Sequence, residues 1–170
     1  MKINIKKLAV AGMMTALGVC LSAFSIPIGA SRCFPIQHLF NVLAGVFLGP
    51  LYATGFAFST ALIRNLLGTG SLLAFPGSMI GAFLGAYLFR FTKKVWTTFL
   101  GEILGTGILG GMLCYPMANL LMGNKEAALF TYVLPFLIST IGGCILAAVL
   151  LSILYKSGIV YYLQGMLKET

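Results

Sequence analysis

Cys33 to Ile63, CFPIQHLFNVLAGVFLGPLYATGFAFSTALI, runs for 31 residues without a charge and carries Gly49-Pro50 in its middle. That is long for one membrane-spanning helix of about 20 residues. A Gly-Pro pair breaks a helix, so the stretch reads as two short helices or one long one. Four more neutral stretches lie at 8–31, 65–89, 103–124 and 127–155. The chain therefore has five spans or six, and the reading of 33–63 decides which.

The charges choose between them, because Lys and Arg close to span ends stay cytoplasmic. With six spans the inner side holds Lys2, Lys6, Lys7, Arg90, Lys93, Lys94, Lys156 and Lys168, leaving Arg32, Arg64 and Lys125 outside, a split of 8 to 3. With five spans everything beyond residue 63 inverts, and the inner set shrinks to Lys2, Lys6, Lys7, Arg64 and Lys125, a split of 5 to 6. The sequence thus predicts an all-α integral membrane protein, a six-transmembrane-helix bundle with N and C termini cytoplasmic. Residues 1–170 form a single transmembrane domain with helices near 5–25, 36–48, 51–67, 76–92, 97–121 and 128–155. Trp96 and Tyr161-Tyr162 fall at the inner interface, where amphipathic rings are favoured.

Composition agrees. Of 170 residues 59% are hydrophobic and 8% charged, and mean hydropathy is +1.02, whereas a soluble domain carries about 25% charged residues. Six spans leave no room for an ATPase, a kinase or a nucleic-acid-binding domain. The net charge of +8 reads as membrane topology, and nucleic acid is not a partner. The basic start before Leu8–Phe24 looks superficially like a signal peptide, but the apolar run is long and five more spans follow, so it reads as an uncleaved first helix. The four cysteines lack metal-ligand spacing and read as packing residues, with a Cys33–Cys114 disulfide as the lesser alternative.

At 100° per residue the first helix sorts its side chains by size. Val10, Met13, Met14, Leu17, Leu21 and Phe24 share one arc. Ala9, Gly12, Ala16, Cys20 and Ala23 form one small-residue stripe, and Ala11, Thr15, Gly18 and Ser22 another. Small residues let helix backbones approach closely in lipid, so one stripe suits the chain's own bundle and the second suits another neighbour. Gly77, Gly81 and Gly85, with Gly101, Gly105, Gly107 and Gly111, read as internal helix packing. No GxxxxGK[ST] occurs, so these glycines do not cradle ATP.

With the topology set, polar residues gather in the outer leaflet: Gln37, His38 and Asn41; Arg64 and Asn65; Thr69 and Ser71; Phe75 and Ser78; Tyr115 and Asn119; Thr131 and Tyr132. Polar groups inside a membrane are costly and tend to mark function. An outward pocket of amides, hydroxyls and rings suits a small, largely uncharged heterocycle, against the plainer reading that helix ends need polar caps. Arg64 reads as a snorkelling side chain or an anchor for loop carbonyls. Glu102 is expected near the inner surface, paired with Arg90, Lys93 or Lys94, with proton coupling as the rival. One histidine and no aspartate leave catalytic triads and zinc sites without their parts, so neither metal nor cofactor is expected and the chain is not read as an enzyme.

Ser31-Arg32-Cys33-Phe34-Pro35-Ile36-Gln37-His38 continuing to Asn41 and Gly49-Pro50, then Arg64-Asn65-Leu66-Leu67-Gly68-Thr69-Gly70 with Ala74-Phe75-Pro76-Gly77-Ser78, and Gly105 to Gly110 with Tyr115-Pro116, resemble the ThiW-type substrate-binding subunit of an energy-coupling factor transporter. The resemblance covers essentially the whole chain. It implies six helices with both ends cytoplasmic, capture of a vitamin precursor outside the cell, and association with a transmembrane coupling subunit and two cytoplasmic ATPase subunits. It also implies an AxxxA-like docking pattern on helix 1, met here as small-xxx-small by Gly12 and Ala16 with Ala9 nearby, and hydroxyethylthiazole as ligand. On that reading Gln37, His38, Asn41, Asn65, Ser78 and Asn119 supply hydrogen bonds, and Phe75, Tyr115 and Tyr132 supply stacking surface. Capture of another vitamin, or a stand-alone facilitator, is the alternative.

Overall fold

The structure is a computed structural model and describes residues 3–28, 31–125 and 128–168. Lys2, one of the inner-side cations, lies outside the described residues. Seven helices are seen among them: α1 (Ile5–Cys20), α2 (Pro35–Phe47), α3 (Pro50–Leu66), α4 (Ala74–Thr92), α5 (Val95–Leu121), α6 (Val133–Lys156) and α7 (Ile159–Lys168). Strands β1 (Ile26–Ile28) and β2 (Ser31–Cys33) pair antiparallel between α1 and α2. By length and apolar composition α5 and α6 qualify to cross a membrane, and α2 is a shorter apolar helix.

The long neutral stretch is two helices. Gly49 has φ 84°, a conformation that disfavours any side chain, and Pro50 opens α3 at the position where its missing N–H costs nothing. Each expected span overlaps one of α1 to α6, with three differences. Helix α1 stops at Cys20 and passes through a 3₁₀ turn, Leu21–Ala23, into the hairpin, where Pro27 holds Ile26 in extended backbone. Helix α6 starts at Val133 rather than near 128, after a turn in which Thr131 Oγ1 accepts from the Ala128 N–H. Helix α7 has no counterpart among the expected spans. It is amphipathic, burying Val160 and Leu167 while exposing Tyr161 and Tyr162. Gln164 Nε2 donates to Val46 O and Asn4 Nδ2 to Leu167 O, which tie α7 to one end of the bundle.

Helix α4 is the axis, touching α2, α3 and α5, while α2 also packs on α6 and α1 lies on α3. Glycine makes the α4–α5 contact close: a Cβ on Gly101 would stand 2.5 Å from Gly85 N, on Gly105 2.6 Å from Gly81 Cα, and on Gly110 2.6 Å from Gly77 Cα. These are backbone atoms and cannot step aside. Gly101→Val should therefore destabilise by about 3 kcal/mol, lowering the Tm of detergent-purified protein by roughly 10 °C. Gly12→Ala, which meets open space, should leave Tm unchanged or raise it.

Around these contacts α5 widens to π-helical geometry over Ile103–Gly110, a device that re-aims side chains in mid-helix. All four cysteines are free. Cys33 Sγ donates to Pro135 O and Cys114 Sγ to Leu73 O, so the disulfide alternative does not form.

The two small stripes of α1 part company. Ala11, Thr15, Gly18 and Ser22 are buried, with Gly18 facing Thr60 and Phe56 of α3. Ala9, Gly12, Ala16 and Cys20 are exposed, and nothing lies within 4 Å of a Cβ placed on Gly12.

Candidate functional site

The start of α2, the end of α3, the start of α4, the segment after α5 and the start of α6 meet at one end of the bundle. They enclose a cavity of about 610 Å³, within the ~300–1,000 Å³ usual for small-molecule sites. The hairpin closes one side with Pro27 and Arg32. The loop from Gly68 to Ser71 closes another. That loop is folded back on the end of α3: the N–H groups of Thr69 and Gly70 both donate to Arg64 O, at 2.9 and 3.0 Å. Asn65 Nδ2 adds bonds to Ala61 O at 2.8 Å and Ser71 O at 3.0 Å.

Of the nine residues expected to meet ligand, the cavity brings together Gln37, His38, Ser78 and Tyr132. The other five stand behind the wall. Asn41 is buried one turn deeper, Asn65 holds the loop, and the Phe75 ring packs on Phe58 at 5.7 Å between centroids. Tyr115 packs with Leu73, Cys114, Ala118 and Tyr132, and Asn119 is half-buried away from the lining.

Two charged residues prove central. Arg64 is 1% exposed and snorkels nowhere. Its Nη1 donates to Gln37 Oε1 at 2.6 Å and its Nη2 to Thr69 O at 3.4 Å, while the guanidinium lies 3.9 Å over the Phe34 ring. It is thus the loop anchor, a post joining α3, the entry to α2 and the Gly68–Ser71 loop.

Glu102 overturns the expected pairing with Arg90, Lys93 or Lys94. It is 1% exposed, and its Oε1 takes bonds from His38 Nδ1 at 2.9 Å, Asn41 Nδ2 at 2.8 Å and Thr106 Oγ1 at 3.1 Å. The reason is depth: α5 begins at Val95, so residue 102 is two turns inside, and the glycine face of α4 admits its carboxylate. A Cβ on Gly81 would stand 2.7 Å from Oε2. His38 is seated by the same logic, its Cβ filling the space where Gly143 of α6 has none. The His38–Glu102 contact, 2.9 Å long, is an ion pair only when the imidazole is protonated and a hydrogen bond when it is neutral; the other two acids, Glu126 and Glu169, lie outside the described residues.

Sequence reasoning passed over Phe34, Ser139 and the hairpin as cavity walls, placed Thr69 in the outer set without making it a ligand contact, and left Arg64 and Glu102 out of the site. One signal for Glu102 was present. Eight residues beyond Lys94 at 1.5 Å each put it roughly 12 Å along the helix, too deep for an interfacial pair and at a depth where an acid marks function.

The profile of the thiamine-precursor transporter protein family, ThiW, matches residues 8–157. The chain belongs to the ThiW family. The match takes in every element that builds the cavity, from the hairpin to α6. No curated protein and no solved structure matches the chain. Membership in the ThiW family makes the chain a thiamine-precursor transporter protein, with a small-molecule substrate and a place in a membrane.

Proposed function

We propose that the chain is the substrate-capture subunit of an energy-coupling factor transporter and that the cavity is its outward-facing binding site. Helices α1 to α6 serve as six spans with both termini cytoplasmic. The observation that carries this reading is the opposition of cavity and cations. Arg32, Arg64 and Lys125 lie at the cavity end, while Lys6, Lys7, Arg90, Lys93, Lys94 and Lys156 lie at the other, as inner-side cations should. Helix α2, 13 residues long, reaches only about 20 Å. The hairpin and Phe34 complete its crossing where they line the cavity, a setting in which non-helical backbone at membrane depth is tolerated.

Hydroxyethylthiazole suits the lining. Gln37, His38 and Ser78 offer hydrogen-bonding groups, Tyr132 and Phe136 offer ring faces, and Asn41 shares with His38 the Glu102 oxygen beneath them. The exposed stripe of Ala9, Gly12 and Ala16 is the docking face for the transmembrane coupling subunit, and two cytoplasmic ATPase subunits supply the energy. Purified protein should bind hydroxyethylthiazole with a Kd in the micromolar range or below by titration calorimetry, with no nucleotide present. Failure to bind any thiamine-related compound overturns the substrate assignment. Uptake into vesicles by this chain without partners or ATP overturns the capture-subunit assignment in favour of a facilitator.

A further inference from the structure

The hydrogen bonds beneath the cavity decide which ring nitrogen of His38 carries the proton. Glu102 Oε1 is surrounded by three partners from two helices: Thr106 Oγ1 of α5, and Asn41 Nδ2 and His38 Nδ1 of α2. The orientation of the Asn41 amide is fixed by a second bond, from Nδ2 to Ser78 O at 3.3 Å. Turned over, its oxygen would face a carboxylate and a carbonyl, two acceptors. Asn41 Nδ2 and Thr106 Oγ1 both donate to Oε1; an unprotonated carboxylate oxygen has only acceptor sites, so Nδ1 donates to it as well. A neutral imidazole that donates through Nδ1 has a bare lone pair on Nε2. Among the described residues Nε2 has no partner; it is not among the sealed polar atoms, and the ring lines the cavity. The other charged or titratable side chains on this cavity are Arg64 of α3, which is turned toward Gln37 and Thr69, Arg32 of the hairpin, and Tyr132 just before α6, whose oxygen accepts from Asn124 Nδ2.

We infer that Glu102 is a positioning residue that holds His38 as the Nδ1–H tautomer, so that the cavity presents Nε2 as an acceptor and selects a ligand carrying a hydroxyl at that point. This rests on the capture reading above and adds to it a direction: the ligand's O–H donates and His38 accepts. An analogue of the same shape without the hydroxyl leaves a buried acceptor unpaired and is rejected accordingly.

The chain has one histidine, so ¹⁵N-imidazole labelling reports His38 alone. In unmodified protein the expected spectrum has a pyrrole-like Nδ1 and a pyridine-like Nε2, and hydroxyethylthiazole should shift Nε2 and leave Nδ1 in place. The 5-ethyl analogue, which lacks the hydroxyl and adds no bulk, should bind roughly 10- to 100-fold more weakly. Glu102→Gln, which keeps a carbonyl acceptor, should retain both the tautomer and the discrimination. Glu102→Leu should release the ring to Nε2–H and reduce the alcohol-to-ethyl ratio to within about threefold. Should that variant not fold, His38→Phe removes the acceptor itself and should abolish the discrimination in the same way. An Nε2–H or doubly protonated ring in the unmodified protein, or equal binding of alcohol and ethyl compound, overturns the inference while leaving capture intact. An Nδ1–H ring with no thiazole binding overturns capture and leaves the tautomer assignment standing.

Discussion

Arg64→Ala is expected to abolish measurable thiazole binding and to lower stability by about 3 kcal/mol, the largest loss from any single side chain around the cavity. The substitution removes a fully buried cation with three attachments, to Gln37 Oε1, Thr69 O and the Phe34 ring. Gln37 Nε2 is already without a partner, so losing Arg64 leaves both polar atoms of a buried amide unsatisfied. It also opens the junction between α3, α2 and the Gly68–Ser71 loop, which shapes one cavity wall. Arg64→Lys tests charge against shape. A lysine keeps the charge but cannot reach two acceptors in a fork while stacking on a ring, so it should recover part of the stability and little of the affinity. Thermal unfolding of detergent-purified variants and titration with hydroxyethylthiazole measure the two effects. Binding by Arg64→Ala within threefold of the unmodified protein would show that this side chain does not shape the site.

The helical architecture is legible in the sequence because its signals are local. Gly49-Pro50 marks a break whatever surrounds it, and the five neutral stretches, one of them broken there, each hold a helix or, for the broken one, two. The glycine ladder between α4 and α5 is legible too, since small residues at four-residue spacing specify close approach without naming the partner. The cavity is less so. Sequence depth places Asn65, Phe75, Tyr115 and Asn119 at the same end of the bundle as the cavity, but it cannot say which way a side chain turns. Asn65 turns to the loop carbonyls, and Phe75 turns to Phe58. Glu102 shows the other difficulty. Its partners lie on a helix about 60 residues earlier, and their meeting depends on Gly81 and Gly143 making room, which is a property of four helices together. Helix α7 escaped because its moderate hydropathy and two tyrosines read as an interfacial tail.

For Gly12→Leu and Ala16→Leu the expected result is complete loss of co-purification with the transmembrane coupling subunit, at unchanged thiazole affinity. Both positions are exposed on α1, on the face opposite the stripe buried against α3. A leucine there meets nothing within this chain, so neither stability nor the cavity, built from α2 to α6 and the hairpin, should respond. Lipid gives helices no hydrophobic drive to associate, and a small-residue stripe matters because it allows backbones to touch. One leucine on such a stripe holds the partner helix away along the whole contact, which explains why a single substitution should be decisive. A bulky residue on the buried stripe supplies the contrast: Gly18→Leu drives into Thr60 and Phe56 of α3 and should reduce folded yield before it affects assembly. If Gly12→Leu and Ala16→Leu both assemble normally, the exposed stripe of α1 is a lipid-facing surface and the docking face lies elsewhere on the bundle. Loss of thiazole binding alongside loss of assembly would instead mean that α1 supports the cavity, against the separation of capture and docking that the geometry of α1 implies.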